Sequence, residues 1–449
     1  MRKVLLYICS VFILGGMTSC EDFLDKREDV GLTEDDIFRD YYSLRGFLDQ
    51  SFNQLENVMV MDNWENGRAF VGLFADEMAT TDNSSAVFTL HSGNWLSNAK
   101  SNKTFEIGNA GSTAISRSYK ALRINNRIIN DIDKAPLTPE QKNEILGQAY
   151  FYRSWFYFQI IKRYGGMPII DKVFEGGDDD IPRMTYHESH DWMMEDIQKA
   201  IYMLPDSWDD PNYGRPTKIA AMALKEWAQL FDASPLMQND LNSTENKGYD
   251  TERAKSAAKS AYEVIRYMDG SKSAPYPYGL ASKEEYTNVF YFKYPPVHQP
   301  EYIWVKRQFP NAANQNQKRT IRTFWQYEDL AFGSGPDGNS MCCPSLNIVN
   351  MFDKKGADGI YYPIDDPRSG YALDYDHKPF EDRDPRFYNN ILLPGTTWGH
   401  YADGRTYYIT TYKGGAAYQH MLTQKDCNKR MFTGFMCKKF MWPECNQYL

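Results

Sequence analysis

Between Glu140 and Tyr164 apolar and aromatic side chains fall on nearly every side of a helical wheel, which predicts a helix of about seven turns covered on several faces. Thr138, Pro139 and Gln141 supply its start: a capping hydroxyl, a proline suited to the first turn and a glutamine three residues past the cap. Gly165, Gly166 and Pro168 stop it. The covering helices are legible as stripes on either side: Ile115 to Ile132, Tyr186 to Leu204, Lys218 to Phe231 and, further on, Arg253 to Met268. In the Lys218 segment Ala220, Ala221, Ala223 and Ala228 allow a neighbouring helix close, with Leu224, Trp227 and Phe231 as knobs. Trp155 and Trp227 read as core. The expected fold class is mainly α, a solenoid of tetratricopeptide-like helix pairs, although no clean period of about 34 residues runs through it.

After Gly270 the helical period fades, and Pro, Gly, Asn and Tyr become frequent. Short strand-like pieces, Tyr302 to Lys306 and Thr406 to Tyr412, interrupt what reads as a loop-rich subdomain held by the helices. Loops on a rigid scaffold are where binding residues concentrate. The expected organisation is therefore residues 1–19 as an export signal, 20–270 as the helical region and 271–449 as the loop-rich region.

The signal is read from Arg2 and Lys3, an apolar run from Val4 to Leu14, and small residues before Cys20. That run falls well short of the ~20 residues that span a bilayer. A lone cysteine after Thr18 and Ser19 fits a lipobox, with Cys20 acylated and first in the mature chain. Several acyl chains, at ~0.8 kcal/mol per buried CH₂, anchor a protein far more firmly than one.

Composition narrows the partners. A formal net charge of -9 argues against a nucleic-acid binder, which needs clustered Lys and Arg to displace counterions. Aromatic residues make up 15% of the chain, including 10 Trp and 32 Tyr, enough for stacking surfaces as well as core. Seven cysteines fall to five once Cys9 leaves with the signal and Cys20 is acylated. Cys342, Cys343, Cys427, Cys437 and Cys445 remain, an odd set without a Cys-x-x-Cys pair, and both disulfides and free thiols stay open.

Nine blocks, in order, carry a resemblance that runs along nearly the whole chain. They are CEDFLD at Cys20, YKALRINNRII at Tyr119, LGQAYFYRSWFYFQIIKRYGGMPII at Leu146, WMMEDIQKAIYMLP at Trp192 and GRPTKIAAMALKEWAQLFDASPL at Gly214. ERAKSAAKSAYEVI at Glu252, YTNVF at Tyr286 with PEYIWVKRQF at Pro300, PSLNIVNMFDKKGADG at Pro344 and DRDPRF at Asp382 complete the set. In these blocks the sequence resembles the RagB/SusD family of surface glycan-binding lipoproteins. The resemblance implies helix pairs with a loop-rich binding part, an outer-membrane location facing outward, and a SusC-like TonB-dependent transporter as partner. It also implies capture and handover of an oligosaccharide, or in some members a peptide, without chemistry or cofactor. Glu21 and Asp22 after the acylated cysteine resemble the export signal of such lipoproteins. Family members usually continue past TGFMCKKF into a final helical block, so C-terminal helices are expected to be missing here.

Sugars stack on aromatic planes and are read by polar groups beside them. Trp95 in HSGNWLSN, and Trp325 and Tyr327 with Arg322 in RTIRTFWQYED, are the candidate ligand contacts, set against covering a local core. Other constellations fail on spacing. His187 and His190 lie three apart rather than the four of a zinc-protease helix, so no metal is expected there. Gly333, Gly335 and Gly338 enclose Pro336 and lack a bracketing strand and helix, which reads as a loop and not a dinucleotide cradle. Glu381, Asp382 and Asp384 could be imagined as a glycosidase pair, but Asp384-Pro385-Arg386 reads as a turn with Asp capping backbone donors. No nucleophile elbow or phosphate loop accompanies them.

Overall fold

The computed structural model describes residues 33–55, 75–80, 114–174, 180–239, 248–271, 277–286, 289, 299–306, 342–374, 376–400, 406–415 and 433–439. Its helices are α1 (Glu34–Phe38), α2 (Tyr41–Asn53), α3 (Ala114–Asp131), α4 (Pro139–Tyr164), α5 (Tyr186–Met203), α6 (Lys218–Ala233) and α7 (Thr251–Gly270), followed by the short α8 (Leu346–Asn350) and α9 (Pro385–Asn390). The architecture is mainly α, as the pattern predicts.

Local chemistry sets the ends. Thr138 Oγ1 accepts from Gln141 N at 3.3 Å while Gln141 Oε1 accepts from Thr138 N at 3.0 Å, the reciprocal box expected at the start of α4. Thr185 and Glu188 repeat it at α5, and Thr33 and Asp36 at α1. Gly165 closes α4 at φ 77°, a backbone region that side chains resist.

α4 is buried on several faces because α3 and α5 flank it and α2 lies against its side; α6 then packs on α5, and α7 on α6. Gly147 permits the close pass of α5, since a Cβ there would stand 3.1 Å from Met203 Cβ. The core runs from Phe38 through α4 to Met237. Inside it, Arg153 of α4 grips Asp196 of α5 through two bonds of 2.5 and 2.8 Å, and donates to Asn126 Oδ1 of α3 at 3.0 Å. Asn126 in turn donates to the Ile170 and Lys172 carbonyls at 2.9 and 3.1 Å. A buried charge is tolerable only when so fully bonded, and this one ties three segments together.

Among the described residues there are four antiparallel two-stranded ribbons, all but one built wholly from the later region. β1 (Met78–Thr80) pairs β2 (Cys342–Pro344) with Met78 opposite Pro344, and β3 (Lys354–Lys355) pairs β4 (Tyr361–Tyr362). β5 (Ile391–Leu392) pairs β8 (Met436–Cys437), while β6 (Thr397–His400) and β7 (Thr406–Tyr408) pair around an irregularity between Thr397 and Gly399. A second small core gathers Val349, Phe387, Ile391 and Phe435. Arg383, 1% exposed, stands beside it. Its guanidinium donates to the carbonyls of Val349 at 2.7 Å, Phe352 at 2.5 Å and Pro379 at 3.0 Å.

Two expectations need correction. Tyr302 to Lys306 forms no strand among the described residues: Ile303 and Trp304 pack against the helical core, and Tyr302 and Lys306 bond the Val289 and Leu55 carbonyls. In the Thr406 to Tyr412 piece only Thr406–Tyr408 is strand, and Ile409 adds backbone bonds to Gly395 and Thr396.

Candidate ligand-binding site

Between α5 and α6 the chain makes a tight excursion closed at its base by Lys218 N donating to Pro205 O at 2.9 Å. Gly214, at φ 100°, gives the turn a shape that a side chain would strain. Trp208 folds back over the turn and donates its indole N–H to Pro216 O at 2.8 Å. From the other side Trp304 donates to Gly214 O at 3.0 Å, with its ring set edge-on to Phe151 and Trp155 at 4.9 Å from each. A cleft of about 200 Å³ opens between these segments, lined among others by Trp208, Tyr278, Tyr302, Trp304, Arg215 and Thr217.

The wall is aromatic and electrically quiet. Arg215, the one lining side chain with full positive charge, is held by both oxygens of Asp49 at 2.7 and 2.8 Å and by Gln148 at 2.9 Å. Tyr302 donates to Val289 O at 2.6 Å, and burial pushes its hydroxyl up to about 12. Burial also raises the Tyr278 hydroxyl, so both phenols stay neutral. A recess of this kind suits a ring with an apolar face and a few hydroxyls.

Other acids and histidines are committed to structure. His187 Nδ1 lies 2.7 Å from Asp232 Oδ1, and His190 Nδ1 lies 3.0 Å from Asp191 Oδ1 and 3.5 Å from Asp232 Oδ2. His190, Asp191 and Asp232 bring donor atoms within 4.8 Å of one another, a metal-like grouping that the three-residue spacing of the histidines does not reveal because Asp232 comes from α6. Arg253 of α7 bonds both acids and already holds the place of a cation. Asp384 caps α9 by accepting from Arg386 N at 2.8 Å and from Arg386 Nε at 3.0 Å, as the turn reading expects. Glu381 pairs with Lys378 at 2.9 Å.

The candidate contacts Trp95, Arg322, Trp325 and Tyr327 lie outside the described residues, as do Cys20 and the Gly333–Gly338 loop. Trp155 packs against the core as expected. Trp227 corrects its expectation: it is 39% exposed at the edge of the stack, with Lys162 Nζ 4.5 Å above its ring. Among the cysteines, Cys343 is buried in β2 and Cys437 is a free thiol that burial pushes up to about 11; Cys427 and Cys445 lie outside the described residues. Sequence reasoning missed the cleft. Trp208 and Trp304 were the available signal, each an indole in a non-helical stretch.

Residues 22–226 match a SusD-like family model described as starch-binding and associating with the outer membrane, and residues 300–447 match the model of the SusD family. The chain belongs to the RagB/SusD family. In this SusD-family chain the two walls of the cleft fall in different matched spans, the Trp208 turn in the first and the Trp304 segment in the second. No curated protein sequence matches it. Similar solved structures include a SusD-like protein from Bacteroides fragilis at 20% identity, covering 93% of this chain and 71% of that one, with a TM-score of 0.61. A SusD-like carbohydrate binding protein from the same organism is 17% identical over 91% of this chain and 69% of that one, also at 0.61. A SusD superfamily protein from Bacteroides vulgatus is 15% identical, covering 83% and 67% of the two chains, at 0.51. At these identities the likeness is one of fold. No described helix is long and apolar enough to cross a membrane.

Proposed function

We propose that this chain is a lipid-anchored protein of the outer membrane that captures an oligosaccharide at the cell surface and delivers it to a SusC-like TonB-dependent transporter. What carries the reading is the pair of family matches over residues 22–226 and 300–447, one of them to a starch-binding, outer-membrane-associated family. The anchor is Cys20, acylated after a signal ends at residue 19. The helical region to residue 270 serves as scaffold, and the loop-rich region supplies the ligand contacts Arg322, Trp325 and Tyr327, joined by Trp95. The role is binding and release, with no bond made or broken.

Titration of the purified chain with a panel of glycans and a panel of peptides tests it. Binding to a glycan, weakened about tenfold or more by Trp325→Ala or Trp95→Ala, is the expected result, given that stacked aromatic anchors dominate such contacts. Binding confined to peptides would move the substrate class while keeping the capture role, and silence on both would refute the reading. In cells, Cys20→Ala is expected to move the protein out of the membrane fraction, and co-purification of a β-barrel transporter with the wild type tests the partnership.

A further inference from the structure

We propose that the cleft between the Trp208 turn and the Trp304 segment is a second sugar subsite, shaped for one neutral pyranose ring hydrogen-bonded to Thr217. The proposal rests on the glycan reading above and narrows it to neutral sugars at this place.

The first observation is chemical. Both indole N–H groups at the cleft are engaged with backbone carbonyls, Trp208 with Pro216 and Trp304 with Gly214, so the rings offer faces and edges but no donors. A stacking surface of this sort suits the C–H face of a sugar. The same two bonds occupy the carbonyls that an extended peptide would use to pair its backbone. Arg215 is neutralised by Asp49, so an anionic sugar or a phosphate finds no unpaired cation in the wall.

The second observation is independent. Thr217 is 8% exposed and lines the cleft beside the Tyr278 hydroxyl, which its side chain holds down against the upward push of burial; its Oγ1 does not cap α6 and makes no hydrogen bond of normal geometry among the described residues. An N-cap threonine normally satisfies a first-turn N–H, and a buried hydroxyl normally has a partner. A ligand hydroxyl in the cleft supplies one. The volume, about 200 Å³, is that of roughly seven waters of liquid, enough for a single ring with its hydroxyls.

The test uses the full chain and four named probes, methyl glucoside, methyl mannoside, methyl galactoside and N-acetylglucosamine, with glucuronate as the anionic counterpart, read by saturation-transfer NMR. At least one neutral probe is expected to bind, glucuronate at least tenfold more weakly. Thr217→Val is expected to weaken that probe by about fivefold, the range of one neutral hydrogen bond, without lowering the melting temperature, because the hydroxyl caps nothing. Tyr278→Leu removes one ring of the wall and provides a second reading should the valine variant fold poorly. Absence of binding by all four probes, equal binding by glucuronate, or probe affinity unchanged in both variants would overturn the proposal. If longer glycans bind the wild type and the Thr217→Val chain alike while the four probes do not bind, the subsite falls and the capture function stands. If no glycan of any length binds, both fall.

Discussion

Arg383 is the residue whose removal is most informative, because a full charge sits 1% exposed with carbonyl oxygens in place of a carboxylate partner. Three bonds of 3.0 Å or shorter reach Val349, Phe352 and Pro379, and Nε adds Phe352 and Asp353 at 3.2 and 3.3 Å. The ring of Phe387 lies 4.9 Å from the guanidinium carbon. Each hydrogen bond from a charged donor contributes about 1.5–3 kcal/mol, so the three short ones sum to roughly 5–9 kcal/mol. Desolvating the guanidinium opposes this by several kcal/mol and lowers its pKa, which still leaves it charged at neutral pH. Arg383→Met relieves that penalty but leaves the carbonyls buried without donors, at about 1–3 kcal/mol each. The net expected loss is about 3–5 kcal/mol, confined to the ribbon-rich part. Hydrogen exchange read peptide by peptide is the suitable assay, since local opening there need not unfold the helices. Peptides over 346–352 and 385–392 are expected to exchange about a hundred-fold faster or more, while those of α4 keep wild-type rates. Arg383→Lys, a point donor in place of a fork, is expected to recover part of the loss. Exchange in the methionine variant within about fivefold of wild type would refute the reasoning.

Gly166→Ala places a Cβ 2.1 Å from Met184 O and 2.3 Å from Thr185 C, both backbone, so it is expected to cost about 2 kcal/mol or more in urea unfolding. Gly46→Ala, on an open face of α2 with nothing within 4 Å, is expected to stabilise by about 0.5–1 kcal/mol; the same sign for both would contradict the account. Asp206 accepts from the Tyr267 hydroxyl at 2.6 Å and pairs with Lys218 at 3.0 Å, contacts that hold its carboxyl below the ordinary range. A carboxyl lowered on folding contributes stability above its unfolded value of about 3.9 and loses it as pH falls through the folded value. The stability gap between wild type and Asp206→Asn is therefore expected to narrow from about pH 5 to about pH 3, and a gap that ignores pH would exclude the assignment.

Helix positions were legible because their determinants are local. Thr138, Pro139, Gln141 and Gly165 act within a turn of themselves, and the run from Ile145 to Ile161 is apolar on nearly every side, which marks a covered helix. What stayed hidden was every polar hub. Arg153, a lone charge inside an apolar helix, takes its meaning from Asn126 and Asp196, and Arg215 from Asp49, which lies 166 residues earlier. Asp384-Pro385-Arg386 was readable as a turn, whereas Arg383 beside it reads as one more exposed charge until the fold brings four carbonyls around it.

The cleft shows why a correct local reading can miss a site. Tyr302 to Lys306 reads as a strand from its run of aromatic and β-branched residues, and an extended run turns successive side chains to opposite faces whether or not a partner strand exists. Here the successive residues Ile303 and Trp304 both pack against the helical core, and Lys306 Nζ reaches Leu55 O, just past the end of α2, at 2.5 Å, so side-chain contacts hold the segment where a strand pairing was expected. The Trp304 indole then bonds Gly214, ninety residues earlier, and fixes the distance between two walls that share no sequence neighbourhood. Residue type marks the segment as extended and covered, without naming what covers it. A cleft assembled from a turn and an extended segment therefore leaves only a lone indole as signal in each, and the pair of indoles bonded to backbone is the feature that makes it a wall.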